Sequence, residues 1–262
     1  MQDINQIQLS LLLLVRDISA RYGLTCFLFG DALRGAVRKG DFLPDGQDIA
    51  LLMPAQDLRN FCAYFQRESP KGVFLQNPET EKACPFIHTK LRQNGTTMMP
   101  VRFKDVKMHH GIGIDLYPYY PVDTGKIARW RTRFLHKASE LLVSASLTPY
   151  LEKPGLIRKL ILKIAEEKRL EVAAKLLKQL EKGNKKSMQV YTPFGGGTFF
   201  WREALGEETF KLTLGGESFR VPDRREVFLN MTGEKHDYGE IEINTEKGFE
   251  SYGKPAKSKS KK

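Results

Sequence analysis

Residues 25–54 constrain the fold of this 262-residue chain more than any other segment. A short apolar run at 25–29 ends at a glycine, a helical pattern follows at 32–39, and a second apolar run follows at 48–53. Strand-like runs that are bounded by glycine and separated by a helix are typical of a mixed sheet with helices on its faces. We therefore predict an α/β (α+β) fold.

The rest of the chain extends this pattern. Apolar residues spaced by three and four positions predict a buried first helix that ends at Gly23, and another helix is predicted at 55–67. Further strands are predicted at 73–76, 86–92 and 112–119. Residues 126–181 are rich in Leu, Ala, Lys, Arg and Glu, and Pro154 with Gly155 divides them into two amphipathic helices, of which the second covers 156–180. A last helix is predicted around Val227.

This order of elements predicts one large domain at 1–245, which a chain of this length can fold around a single core. The domain consists of a core at 1–122, a helical part at 123–185 and a C-terminal part at 186–245. Residues 246–262 are predicted to form a disordered basic tail, because the last nine residues contain five lysines and nothing that could anchor them in a core.

The net charge of +11 and the pI near 9.5 predict a polyanionic partner: nucleic acid, an anionic lipid surface or a phosphate-rich substrate. The chain has no recognised nucleic-acid motif, so no specific nucleic-acid partner is expected. Its three cysteines lack CxxC spacing and its first apolar run is too short to cross a bilayer. We expect a cytoplasmic protein, which the tail and the basic side of helix 156–180 could hold at the inner membrane face.

The turn between the first strand and its helix can bind a phosphate. Gly30 precedes a helix whose free N–H groups and positive dipole end favour an anion, and Arg38 adds a cation on the same helix. Asp48, where the next strand begins, offers the hard oxygen ligands that Mg²⁺ prefers. The same residues also fit a turn in which glycine only permits close packing, so the pattern by itself leaves both interpretations open.

A family resemblance favours the first interpretation. The segment resembles the signature of the LicD family at Gly30, Leu33, Gly35, Ala36, Val37, Arg38, Gly40, Phe42, Pro44, Asp48 and Ile49. Three later segments, 90–97, 109–118 and 216–222, are similar to further blocks of that family in the same order. The likeness extends from about residue 4 to 240.

The resemblance implies a nucleotidyltransferase-like mixed sheet with flanking helices and an appended helical region. It also implies a phosphotransferase that moves phosphocholine, ribitol phosphate or a similar group from a CDP-linked donor to a sugar hydroxyl. The acceptor would be a cell-surface glycan, such as a lipopolysaccharide or cell-wall polysaccharide, and the cofactor Mg²⁺ or Mn²⁺. Carried over by position, Asp48 and Asp115 are the catalytic, metal-binding carboxylates. The residues expected to bind substrate or nucleotide are Gly30, Asp31, Arg38, Lys90 and Thr97.

The chain departs from the family pattern at the second carboxylate, which is Ala50 here. Alanine cannot coordinate a metal, and Asp31 puts a negative charge where the family has a small residue beside the phosphate. Two hypotheses follow. Either Asp45 or Asp31 supplies a relocated carboxylate and the enzyme is weakened, or catalysis is lost and the fold serves as a nucleotide-binding, glycan-binding or regulatory module.

Overall fold

The computed structural model describes residues 2–44, 49–151, 153–184, 186–206, 210–231 and 241–244. Asp45, Asp48 and the tail at 246–262 lie outside these ranges. The α-helices are α1 (Gln2–Tyr22), α2 (Gly30–Arg38), α3 (Ala55–Glu68), α4 (Lys126–Val143), α5 (Leu156–Leu162), α6 (Glu166–Leu180) and α7 (Arg225–Leu229). The strands are β1 (Phe27–Phe29), β2 (Ile49–Pro54), β3 (Val73–Gln76), β4 (Thr89–Gln93), β5 (Thr97–Pro100), β6 (Gly113–Val122), β7 (Gln189–Thr192), β8 (Thr198–Trp201), β9 (Lys211–Leu214), β10 (Glu217–Arg220) and β11 (Ile241–Asn244).

A mixed sheet forms the centre of the molecule, which confirms the predicted fold class. Its strand order is β1-β2-β6-β4-β3, with β2 and β6 parallel and the other neighbours antiparallel. The second half of β6 also pairs with β7, which in turn pairs with β8. Two further pairs, β9 with β10 and β5 with β11, lie apart from this sheet.

The side chains of the long strand β6 alternate between a buried face of the sheet and a partly open one. Its even-numbered residues are buried, whereas odd-numbered residues such as Asp115 and Tyr117 are only half-buried, as expected when side chains alternate along a strand. Ile114 and Leu116 belong to the same apolar core as the inward faces of α1 and α3. The odd-numbered face is therefore the one that can line a site.

The helical part differs from the prediction, because the helix predicted at 156–180 is interrupted. It forms α5 and α6, separated by residues 163–165. Buried Arg169 stabilises the break: its Nε donates to the Ile164 carbonyl at 3.1 Å, and its Nη1 donates to the Leu142 carbonyl of α4 at 3.2 Å. One side chain thus links the break to α4 through the carbonyl groups near two helix ends.

The strand predicted at 86–92 begins only at Thr89, and β5 was not predicted at all. The described helices include none with both the length and the apolar character needed to span a membrane.

Candidate functional site

One row of paired residues crosses the sheet at the level of Asp115. Ala50 on β2 is paired with Asp115 on β6, and Asp115 is paired with Lys90 on β4. Residues that are directly paired project from the same face of a sheet, so these three side chains share the half-open face. β1 ends beside this row, which places Gly30, bridged to Ile49, at the same edge of the sheet.

Asp115 forms the centre of a small charged cluster. Lys90 Nζ donates to Asp115 Oδ1 at 2.6 Å and lies 4.5 Å from the centre of the Phe86 ring. His88 stacks on Tyr117, and its Nε2 lies 3.4 Å from Asp115 Oδ2. The Lys90 and His88 side chains are each 12% exposed and that of Asp115 is 20% exposed. The cluster is therefore largely buried but still accessible to solvent.

These neighbours fix the charge states of the cluster. Burial would raise the pKa of Asp115, but the positive charge of Lys90 and the contact with His88 outweigh it and hold that pKa well below its ordinary value. Burial lowers the pKa of Lys90 despite the opposing effect of Asp115. Burial, followed by the repulsion from Lys90, lowers the pKa of His88. At neutral pH Asp115 is therefore ionised and His88 is neutral.

A pocket of about 270 Å³ opens over this cluster. Its floor is formed by residues of β4, β6 and the segment before β4. One wall consists of α4 and the 3-10 helix Ser144–Tyr150 that follows it, together with Arg158 of α5. The opposite wall is the loop between β7 and β8. The pocket thus joins the sheet to the helical part and to the C-terminal part of the chain.

The β7–β8 loop is built from three consecutive glycines. Gly195, Gly196 and Gly197 all have positive φ angles, of 61°, 76° and 105°, a region that residues with a Cβ rarely adopt. A Cβ on Gly197 would also overlap the hydroxyl of Tyr191, which is hydrogen-bonded to His136 Nδ1. Gly195 and Gly196 line the pocket, so a ligand there would meet backbone without side chains.

The residues predicted from the signature around Gly30 lie beside the pocket and do not line it. Gly30 begins α2 with a φ of 58°. Asp31 is buried in the first turn of that helix, where it accepts a hydrogen bond from Arg34 Nε at 2.8 Å. Its negative charge is therefore compensated by a neighbour on the same helix.

The other predicted substrate residues are separated by the fold. Lys90 lines the pocket, whereas Arg38 is exposed in the last turn of α2. Thr97 is buried in β5, and its hydroxyl has no hydrogen-bond partner among the described residues. Sequence reasoning did not single out His88, Arg158 or the three glycines as site residues, although the run of three glycines was a visible signal.

A magnesium ion at this site would need more ligands than Asp115 provides. One oxygen of Asp115 is bonded to the Lys90 ammonium, which competes with any cation. Within the described ranges no group of three or more His, Cys, Asp or Glu side chains could hold a metal ion. The described residues alone do not fit Mg²⁺, and metal dependence stays a prediction that requires Asp48 or Asp45 beside Asp115.

The mixed sheet with helices packed on it is an α/β domain, and its charged cluster lies near the start of the parallel strands β2 and β6. The family model described as LicD/FKTN/FKRP, nucleotidyltransferase domain, matches residues 23–153, half of the chain. The chain therefore belongs to the LicD family. At the family level this membership supports a transferase of the phosphotransferase type that modifies glycans. A search of curated proteins found no match.

Proposed function

We propose that the protein transfers a phosphorylated alcohol, such as phosphocholine or ribitol phosphate, from a CDP-linked donor to a sugar hydroxyl of a cell-surface glycan. The observation that carries this proposal is the register of β2, β6 and β4. It aligns Asp115 and Lys90 on the floor of a pocket, beside the edge of the sheet where the Gly30 turn lies.

The reaction would exchange one phosphorus–oxygen bond for another. The sugar hydroxyl oxygen attacks the phosphorus that carries the alcohol, the bond from that phosphorus to CMP breaks, and CMP leaves with the electron pair. Positive charge at the transferring group stabilises such a transition state, and Lys90 and Arg158 are cations in the pocket.

The hydroxyl proton needs an acceptor, and we propose His88 for this role. Asp115 is a weak base because Lys90 depresses its pKa. His88 is neutral at pH 7 and lines the pocket, and its Nε2 lies 3.4 Å from the ionised Asp115, which would stabilise the imidazolium that forms when the ring accepts a proton. A neutral imidazole is better matched to proton transfer near neutral pH than a strongly ionised carboxylate.

CMP release tests the proposal. Purified protein is incubated with CDP-choline or CDP-ribitol, Mg²⁺ or Mn²⁺ and a crude glycan extract. We expect release by the wild type that is lost in Asp48→Ala and in Asp115→Asn. Asp123→Asn is the matched control, because Asp123 is an exposed carboxylate just after the end of β6. Release that persists in Asp48→Ala and Asp115→Asn would contradict the assignment of the site.

A second function is favoured by two features. Ala50 leaves the described cluster without a second carboxylate, and the Lys90–Asp115 ion pair occupies an oxygen of the first. In that case the protein binds a CDP-linked compound or a glycan without turnover. No CMP release with any donor, together with donor binding by calorimetry that survives Asp48→Ala, would establish the binding module instead.

We also propose that the protein acts in the cytoplasm and associates peripherally with the inner membrane face, where lipid-linked glycans could reach the pocket. The excess of basic residues supports this location. Sedimentation with anionic vesicles tests the contribution of the tail: binding unchanged on deletion of residues 254–262 would exclude that segment.

A further inference from the structure

Helix α4 exposes an apolar stripe to solvent. Ile127, Trp130 and Phe134 are between 56% and 83% exposed, and the rings of Trp130 and Phe134 stack with their centres 5.6 Å apart. Their spacing of three and four positions places them on one side of the helix. Leu135 and Val143 are buried against the protein on another side, so the exposed stripe is additional to the face that holds α4 in the fold.

Helix α5 is more unusual, because none of its seven residues is buried. Leu156, Ile157 and Leu160 are between 61% and 78% exposed. Nine large apolar side chains of the described residues are more than half exposed, and six of them lie on α4 and α5. Large exposed apolar surfaces are rare on soluble monomers and usually mark interaction sites.

The segments that carry these residues are basic. Residues 126–137 contain five lysines and arginines, residues 153–164 contain four, and neither segment contains an aspartate or glutamate. All five lysines and arginines of the first segment are exposed. Glu140, the next acidic residue along α4, pairs with Lys137, so the two segments combine exposed apolar side chains with a net positive charge.

We infer that α4 and α5 form a docking surface for a bilayer that contains anionic phospholipid. Interfacial helices bury their apolar residues at the level of the headgroups while lysine and arginine contact anionic lipid. The indole of Trp130 suits this depth, because tryptophan is enriched where an apolar interior meets water. The surface lies on α4 and α5, and not on the tail or on α6.

The charge argues against other occupants of this surface. A two-fold dimer would bring the same patch of each copy against itself, so the exposed basic residues of one copy would face those of the other. A nucleic acid would satisfy the cations, but it would offer no apolar partner to Leu156, Ile157 and Leu160. A bilayer with anionic headgroups satisfies both.

The candidate pocket shares a wall with this surface. Arg158 of α5 lines the pocket and donates through Nη1 to Ser144 Oγ, just beyond the end of α4, at 3.1 Å. Docking of α5 would therefore bring the pocket close to the lipid headgroups. This inference deepens the membrane location proposed above. Its test needs neither donor nor acceptor, so its failure leaves the transferase proposal unaffected.

Tryptophan fluorescence tests the inference directly. The chain has two tryptophans, Trp130 and Trp201, so Trp201→Phe leaves Trp130 as the single indole fluorophore. We expect vesicles of phosphatidylcholine with a quarter phosphatidylglycerol to shift its emission to shorter wavelength, and lipids brominated on the acyl chain to quench it. Vesicles of phosphatidylcholine alone should have a much smaller effect.

Flotation with the same vesicles assigns the binding to the two helices. We expect Trp130→Ala/Phe134→Ala, and separately Leu156→Ser/Leu160→Ser, to weaken binding at least tenfold. Phe210→Ala should bind like the wild type. Phe210 is 51% exposed and precedes β9, which packs on α2 at another part of the molecule. Equal binding by all variants, or unchanged Trp130 emission, would overturn the inference. So would a dimer by light scattering that the Trp130→Ala/Phe134→Ala variant dissociates.

Discussion

At the scale of single residues, Ala50 and Lys90 together define what the cluster can do. Ala50 is fully buried and directly paired with Asp115, and Lys90 contacts Asp115 from the other side. A family member with a carboxylate at the position of Ala50 would have two adjacent acids and would need a cation between them. Here alanine replaces the second acid and Lys90 neutralises Asp115, so the charges of the described cluster are balanced without a metal.

Ala50→Asp tests this view. The new carboxylate would lie on the neighbouring strand beside Asp115, so without metal it should lower the Tm, on the order of 10 °C, through repulsion and burial of charge. Mg²⁺ should recover much of that loss and raise CMP release by about tenfold or more, since a bridging metal stabilises the transferring group. The measurements are thermal unfolding with EDTA or Mg²⁺, and CMP release.

Ala50→Asn is the control for this change, because it has the same shape without the charge and should gain nothing from Mg²⁺. If Ala50→Asp gains neither metal-dependent stability nor CMP release, the binding-module hypothesis is favoured.

His88→Gln tests the proposed proton acceptor. Burial lowers the pKa of His88 below its ordinary 6.5, so wild-type kcat/KM should fall only when the pH drops below about 6.5, where the imidazole gains a proton. Glutamine cannot accept that proton, and we expect a rate about 10² to 10⁴ times lower with no such acidic limb. A pH profile of CMP release that keeps its acidic limb in His88→Gln would rule out this role.

At the scale of elements, the helices and strands that could be predicted from the sequence are those that depend on local patterns. The β1-α2-β2 unit, α3, β3, β6 and α7 all lie within a few residues of their predicted positions, because alternation, helical periodicity and glycine turns are encoded locally. The break between α5 and α6 was not predictable in this way. At this break Arg169 bonds both the nearby Ile164 carbonyl and the Leu142 carbonyl of α4, and the second contact is distant in sequence.

The candidate site shows the same limit. The motif pointed to Asp115 and Lys90, but the pairing between β2 and β6 that aligns Ala50 with Asp115 is a tertiary feature. The β7–β8 loop that completes the pocket lies outside the matched family region and about 80 residues beyond Asp115. Local patterns carry no information on which distant loop will cover a strand.

The β7–β8 loop itself permits a matched pair of substitutions. Gly197→Ala should lower the free energy of unfolding by about 2 kcal/mol or more, because the new Cβ combines a φ of 105° with an overlap at Tyr191. Gly125→Ala at the N-cap of α4 should lower it by less, on the order of 0.5 kcal/mol, since its φ is −69°, nothing lies within 4 Å of a Cβ there and only an N-cap preference is lost. Urea denaturation measures both. Equal effects of the two substitutions would mean that the loop geometry is not required.

At the scale of the whole molecule, buried neutral histidines couple folding to pH. Burial lowers the pKa of His136, which is hydrogen-bonded to Tyr191, and that of His109 to about 4 each. In the unfolded chain both return to about 6.5. Between pH 6.5 and 4 the unfolded state therefore binds protons that the folded state excludes, and stability falls as the pH falls.

Each of these histidines should lower the free energy of unfolding by on the order of 3 kcal/mol between pH 6.5 and pH 4. The stability contributed by ionised Asp115 is lost only at still lower pH, because the pKa of Asp115 is depressed. We expect His136→Gln to be less stable than the wild type at pH 7 but to lose less stability between pH 6.5 and 4.5, since one titrating group is gone. Leu135→Ala, at the neighbouring buried position of α4, should lower stability equally at every pH. Urea unfolding at half-unit pH intervals measures the slopes, and a His136→Gln slope equal to that of Leu135→Ala would show that His136 is not the group that senses acid.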